Sequence, residues 1–340
     1  MEAADLAAAS AVAVLEAEAL QEVGKSLMKD LIYIVLVCML FSCSVKNEKN
    51  DLLNDTLFIL VLGNAQDAGY PQIACTKACC QRVNDDPANR RMVSSIALID
   101  PVSNESWIFD ATPDFTEQTK LISKYLKNNK QLPDGIFLSH GHIGHYTGLM
   151  FLGREALGAD KMPVYAMPRM YDYLSENGPW SQLVNLKNIE LRVLRKDSTM
   201  VLNQHLSVTP IEVPHRDEFT ETVGFIIQNI NKKVLFIPDI DKWNKWERNI
   251  VDYIKEVDIA LLDATFFKNG EIERDMNEVP HPFVEESMRL FKDLSDEDKR
   301  KVHFIHFNHT NPLLIDGSDA QKTVLQNGFN LAHQKMIISF

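Results

Sequence analysis

Positive charge is in short supply in this 340-residue chain: 35 Lys and Arg stand against 47 Asp and Glu, a formal net charge of −12. A protein whose main partner is a nucleic-acid backbone needs a basic surface, so that class is disfavoured, a local basic groove apart. Spanning a bilayer takes about 20 apolar residues, and the uncharged block at 31–42 is too short for it. Cysteine is scarce, and its placement argues against a disulfide framework. Cys38 lies inside the apolar block, Cys43 ends it, and Cys75, Cys79 and Cys80 crowd one short segment. Three thiols that close suit a metal knuckle or reactive thiols rather than staples for long loops. There is no internal repeat, low-complexity linker or Gly-rich phosphate loop. What is there is 45% apolar and 24% charged, the balance of a globular protein with a real core. The length admits one large domain or two ordinary ones.

The N-terminus reads as a targeting segment. The block 31–42 follows Lys29-Asp30, has the size of a signal-peptide core, and closes on Leu40-Phe41-Ser42-Cys43. That closing stretch resembles the lipobox of bacterial lipoproteins, which makes Cys43 the acylation candidate and 28–43 the signal peptide. The polar stretch 44–55 is then a tether, and a lipid anchor is the expected link to a membrane on the envelope side. A plain signal anchor or a buried helix is the alternative. Residues 1–27, rich in Ala and Glu, fit no part of this, and Met28-Lys29 would itself make a normal start.

From residue 56 to 340 the pattern is strand-rich. Leu57–Leu62 is a continuous apolar run stopped by Gly63, as expected of a strand buried on both faces. Strands are also predicted at 96–100, 106–110, 135–139, 162–166, 189–194, 206–213, 222–229, 233–237, 258–262 and 302–307. Helices are predicted at 115–129, 168–176, 241–255, 283–292 and 318–326. Strand meanders with helices between the groups point to an α+β class, either generic or the layered αββα build.

One segment stands out. In Ser139-His140-Gly141-His142-Ile143-Gly144-His145, three of the chain's ten histidines follow directly on a buried strand. A single loop histidine is more often a hydrogen-bonding residue than a ligand. Three at this spacing are another matter, because imidazole is the commonest zinc ligand and a catalytic site needs several converging on one point. Further candidates sit at predicted strand ends in chain order: Asp110, His215, Asp239 and His306. Each alone is weak, but together they supply donors for one or two metal ions.

The order of an early acid, a clustered histidine motif, a histidine, an acid and a late histidine resembles the metallo-β-lactamase superfamily. Within it the chain resembles the family of pyrroloquinoline-quinone biosynthesis protein B. The likeness runs over residues 62–72, 110–114, 262–266 and 306–312 and spans about 56–340. The resemblance implies a four-layer αββα sandwich in which His140, His142 and His215 hold one ion, His145 and His306 another, and Asp239 bridges. It implies a hydrolase using metal-activated water, with Asp239 and Asp110 in the catalytic set and His281 as a candidate proton donor. Zinc is the expected metal, with iron or manganese as alternatives, and the substrate is a small molecule.

Three departures qualify this. The motif His-x-His-x-Asp-His has Gly144 in place of its acid, so either Asp241 or another group compensates, or the second ion is weak or absent. Asp239 is present where the quinone-pathway protein typically lacks that acid. Lys77 stands where the relatives' Cys-x-Cys-x-x-Cys knuckle has its middle cysteine, so Cys75, Cys79 and Cys80 either still bind zinc or have lost it. Three functions are compatible with these residues: an exported hydrolase for ester, phosphodiester or lactam-like bonds; a non-haem iron oxygenase or quinone-cofactor enzyme; and a non-catalytic envelope lipoprotein with a decayed site.

Overall fold

A computed structural model describes residues 56–339; the leader 1–27, the signal segment 28–43 with Cys43, and the tether 44–55 lie outside the described residues. Strand β1 (Phe58–Gly63) is buried along its whole length. Phe58, Leu60 and Leu62 face one core while Ile59 and Val61 face another, the two-residue alternation of a strand covered on both sides. The chain continues through β2 (Ser95–Asp100), β3 (Glu105–Phe109), β4 (Gly135–Phe137), β5 (Met162–Ala166) and β6 (Ile189–Val193). A second set comes next: β7 (Met200–Val201), β8 (Ser207–Glu212), β9 (Val223–Gln228), β10 (Lys233–Ile237), β11 (Ile259–Asp263), β12 (Val302–Ile305) and β13 (Asn330–Leu331). The last strand, β14 (Ile337–Ser339), returns to pair with β1.

These form two seven-stranded mixed sheets, ordered β14-β1-β2-β3-β4-β5-β6 and β13-β12-β11-β10-β9-β8-β7. Three apolar cores separate four layers. The middle core joins the inner faces of both sheets, for example Val61, Leu98 and Phe109 against Phe225, Phe236 and Leu261. An outer core packs helices α2 (Phe115–Ser123), α4 (Pro168–Glu176) and α5 (Trp180–Asn185) on the first sheet, and the one-turn α3 (Ile143–Tyr146) sits between them. The other outer core packs α1 (Ala78–Asp85), α6 (Ile250–Glu256), α7 (Val284–Leu290) and α9 (Asp319–Gln326) on the second, with α8 (Asp296–Lys301) beside β12. This is the expected αββα sandwich. Phe109 sits at its centre, with Phe137, Phe225 and Phe236 rings 5.0, 5.2 and 6.3 Å away. Truncating such a residue to alanine costs about 3–5 kcal/mol.

Strand direction decides which ends meet. β2 is antiparallel to both β1 and β3, and β4 is parallel to β3, so β1, β3 and β4 end on one edge. β8, β10, β11 and β12 likewise share a direction, since β9 is antiparallel to β8 and β10. Two predicted helices are shorter in the structure. The first ends at Ser123, and Asn128 and Asn129 take left-handed turns. The span 241–255 is split: a short turn at Trp243–Lys245, extended backbone at Trp246, then α6 restarting behind Asn249, whose side chain accepts from Val251 N at 3.0 Å.

Candidate metal centre

The strand ends of both sheets meet at one edge. His140, His142 and His145 come from the segment after β4, His215 from after β8, Asp239 from after β10, Asp263 from the end of β11 and His306 from after β12. A backbone bond from Val223 N to Ser139 O, 3.0 Å, ties the histidine segment to the second sheet. Donor atoms of His140, His142, His215 and Asp239 lie within 4.8 Å of one another, as do those of Asp67, His145, Asp239 and His306, and of Asp239, Asp263, His281 and His306. Asp239 is common to all three groups. Its Oδ2 is 3.2 Å from His215 Nε2, 3.4 Å from His140 Nε2 and 3.9 Å from His145 Nε2.

Each imidazole is oriented from behind. Ser139 Oγ lies 3.0 Å from His140 Nδ1 and donates to Asp110 Oδ2 at 2.8 Å. Asp110 Oδ2 is 2.7 Å from His145 Nδ1. Glu218 backs His142 at 3.4 Å, Asp241 approaches His215 Nδ1 to 3.3 Å, and Thr265 Oγ1 lies 2.9 Å from His306 Nδ1. Such partners fix ring orientation and raise ligand basicity. Asp110 and His306 both have positive φ, 71° and 68°, a left-handed conformation that costs an L-residue roughly 1–2 kcal/mol. The sharp turn it makes at a strand end aims the side chain into the site.

The electrostatics suit a cation. Burial alone would raise the Asp239 carboxyl, but His215 and His281 beside it hold it well below the ordinary value. Burial would lower His145, yet Asp110 and Asp67 hold it well above normal. His281 Nδ1, 3.0 Å from Asp239 and 2.9 Å from Asp263, is pushed up to about 10 by those two carboxylates against its burial. The cage stabilises positive charge in its middle. His215 Nδ1 and Nε2, Asp239 Oδ1 and Asp241 Oδ1 are buried without a hydrogen-bond partner, and a buried polar atom left that way is costly. Divalent metal, zinc in particular, fits this set of imidazole and carboxylate donors.

Two expectations are revised. Asp110, grouped from sequence with the catalytic residues, is fully buried behind His145 and acts as a positioning residue. Asp241 stands behind His215 rather than beside His145 and His306, so it does not replace the acid missing at 144. Residues given no role from sequence also belong here: Asp67, whose Oδ1 lies 3.0 Å from His145 Nε2 and 3.3 Å from His306 Nε2, and Asp263 with Thr265 behind His281. Asp67 follows the end of β1 and Asp263 ends β11, the same strand-end signal that pointed to Asp110 and Asp239.

A second cluster lies elsewhere. Donor atoms of Cys75, Cys79, Cys80 and His309 fall within 4.8 Å of one another, four donors for a tetrahedral ion. Lys77 precedes α1 as its N-cap and is not part of the cluster, and His309 is the fourth donor that sequence did not suggest. Tyr70 Oη donates to Cys79 O at 2.6 Å, and Gln72 N donates to Cys80 Sγ at 3.4 Å.

Residues 106–307 match the family described as the beta-lactamase superfamily domain. With the αββα sandwich and the histidine–aspartate centre, the chain belongs to the metallo-β-lactamase superfamily. Within it the chain is PqqB-like. It is 25% identical over 315 residues to coenzyme PQQ synthesis protein B of Methylobacillus flagellatus, covering 83% of this chain and 99% of that one. It is 27% identical over 314 residues to the protein of that name from Klebsiella pneumoniae, covering 83% and 98%. Among solved structures, zinc-bound PqqB from Methylobacterium extorquens matches with a TM-score of 0.71 at 22% identity, covering 83% of this chain and all of that one. A diphosphatase of the PhnP family matches at 0.58 and 23%, covering 84% and 97%.

Proposed function

We propose that this protein is a metal-dependent hydrolase that cleaves an ester, phosphodiester or lactam-like bond in a small molecule. The observation that carries the reading is the pair of adjoining histidine–aspartate groups sharing Asp239, with His215 and Asp239 atoms buried in ion-pair contact but outside hydrogen-bond geometry. His140, His142, His215 and Asp239 would hold one zinc, and Asp239, His145 and His306 a second. A divalent ion there supplies Lewis acidity and brings the pKa of a coordinated water to near 7. The chain's own groups do the rest. Asp110 and Ser139 hold the His145 and His140 rings in place, and His281, 3.0 Å from Asp239 and 2.9 Å from Asp263, is placed to serve as the proton donor to a leaving group. A cleft of about 230 Å³ opens against His215 between Arg169, Lys196 and Trp246. The structural neighbour named a diphosphatase makes phosphoanhydrides and phosphodiesters the first substrates to try.

A second reading is favoured by the curated relatives, whose shared name is coenzyme PQQ synthesis protein B. It makes the centre an iron site in quinone-cofactor chemistry, for which an open histidine–carboxylate set is also suitable. Placement on the envelope side through a lipid on Cys43 belongs to the first reading, and labelling of cells with a palmitate analogue tests it. Metal analysis of protein from its own host separates zinc from iron. Hydrolysis of a panel of phosphodiester, ester and lactam substrates by the metallated protein, lost in His142→Ala, is the expected result. No turnover by any metallated form, with His142→Ala folded like the wild type, would overturn the reading and leave the non-catalytic lipoprotein.

A further inference from the structure

Position 144 carries no side chain, and there is no room for one. A Cβ added to Gly144 would lie 2.5 Å from Asp67 Cα, 2.6 Å from its Cβ and 2.7 Å from its Cγ. Carbon atoms in contact sit about 3.5–4.0 Å apart, so Asp67, its backbone Cα as well as its side chain, already fills the space that a residue at 144 would enter. From that space Asp67 Oδ1 reaches His145 Nε2 and His306 Nε2, at 3.0 and 3.3 Å.

The loop bearing Asp67 is fixed by its backbone. Phe307 N donates to Asn64 O and Gln66 N donates to Phe307 O, both 2.8 Å, so the chain leaving β1 pairs with the chain leaving β12. Ala65 N donates to Met92 O at 3.0 Å, Ser94 N donates to Ala65 O at 2.7 Å, and Gly69 N closes a turn onto Gln66 O at 2.7 Å. Asp67 is therefore held two residues beyond the bridge of Ala65 to Phe307, the neighbour of His306. The carboxylate is delivered to its place by main-chain bonds in which residue 144 takes no part.

We propose that Asp67 is the carboxylate ligand of the His145–His306 half of the centre, and that it takes over the place the resembled motif gives to position 144. Gly144 is the vacated half of that exchange: an acid can come from 67 or from 144, and the two exclude each other in space. The assignment rests on the metal-centre reading above. It removes the motif's missing acid as an argument for a decayed site.

The test counts ions by native mass spectrometry and zinc titration in five proteins: wild type, Asp67→Ala, Asp67→Asn, Gly144→Asp and the double variant Asp67→Asn/Gly144→Asp. Circular dichroism checks each fold. Wild type takes up two zinc ions at this centre, counted beyond the share of the Cys75, Cys79, Cys80 and His309 cluster, which a Cys75→Ser/Cys79→Ser control measures. Asp67→Ala and the near-isosteric Asp67→Asn weaken the second at least about tenfold, as losing a direct ligand must if removing an outer partner costs 10–100-fold. The first ion is retained. Gly144→Asp, whose Cβ meets Asp67 at its Cα, displaces the Asp67 carboxylate, so adding Asp67→Asn in that background costs no further zinc affinity, a coupling that independent sites would not show. Wild-type stoichiometry and affinity in Asp67→Asn would overturn the inference and leave the metal centre standing. A folded Gly144→Asp variant in which Asp67→Asn still weakens the second ion as much as it does in the wild type would overturn the exchange. Wild type that binds no zinc would overturn the metal reading itself, an outcome visible before any variant is made.

Discussion

The two halves of the centre are made of different material. On one side three imidazoles, His140, His142 and His215, face a single acid, Asp239; on the other, His145 and His306 lie among Asp67, Asp239 and Asp263. The rings respond accordingly. Burial and neighbouring imidazoles hold His140 well below its ordinary pKa, whereas carboxylates raise His145, and His306 goes up to about 9 with Asp263 and Asp67 against its burial. Burial lowers His142 as well, while Asp239 raises His215 against its burial, so the imidazole-rich half is mixed and the acid-rich half is raised at both rings. The difference shows two ways of satisfying a cation from one sandwich edge.

The comparison breaks first at the residue both halves share. Asp239→Ala is expected to lose both ions and to lower kcat/KM by at least about 10³, or about 4 kcal/mol of transition-state stabilisation. Ion counting beyond the share of the cysteine cluster checks it, and retention of one full ion at the centre would show that only one half uses Asp239. Next comes a change confined to one half. Asp110→Asn keeps the volume but removes the charge behind His145, so the affinity of the acid-rich half should fall about 10–100-fold while the imidazole-rich half holds its ion. Equal weakening of both in a zinc titration would show that the halves act as one. The smallest effect marks the baseline, a buried carboxylate remote from the centre. Burial would raise Asp100, but Ser103, His205 and the Val102 backbone together hold it below the ordinary value. With its folded pKa depressed, its contribution is fully present above about pH 4 and is lost as pH falls through the folded pKa. Asp100→Asn should cost about 1 kcal/mol at pH 7 and leave the ion count unchanged, and melting curves of the two proteins should converge toward pH 3.

How much of this was legible in the sequence obeys the same division. The imidazole-rich half is largely written in one short segment after a buried strand, and strands such as β5 and β10 were bounded correctly because turn residues delimit their apolar runs. The acid-rich half draws on residues 67, 145, 263 and 306, and nothing local ties them together. Asp67 and Asp263 were visible as strand-end acids, but only the pairing of Ala65 with Phe307 brings Asp67 to His306. His309 was hidden for the same reason, since its partners Cys75, Cys79 and Cys80 lie far back in the chain. The helix read through 241–255 failed on a tertiary bond. Trp246 Nε1 donates to Glu212 O at 3.0 Å from an extended backbone, and that contact overrides helical spacing.

Read along the chain, the bare backbone at 144 looks like a defect in an otherwise intact motif. Folded, it is a notch cut to admit an oxygen that arrives from another loop. What a cation constrains is where its donors stand, and the residue number that brings each one is free to change. A scan for consecutive letters would discard this chain as incomplete, whereas a scan for converging oxygens and nitrogens would keep it.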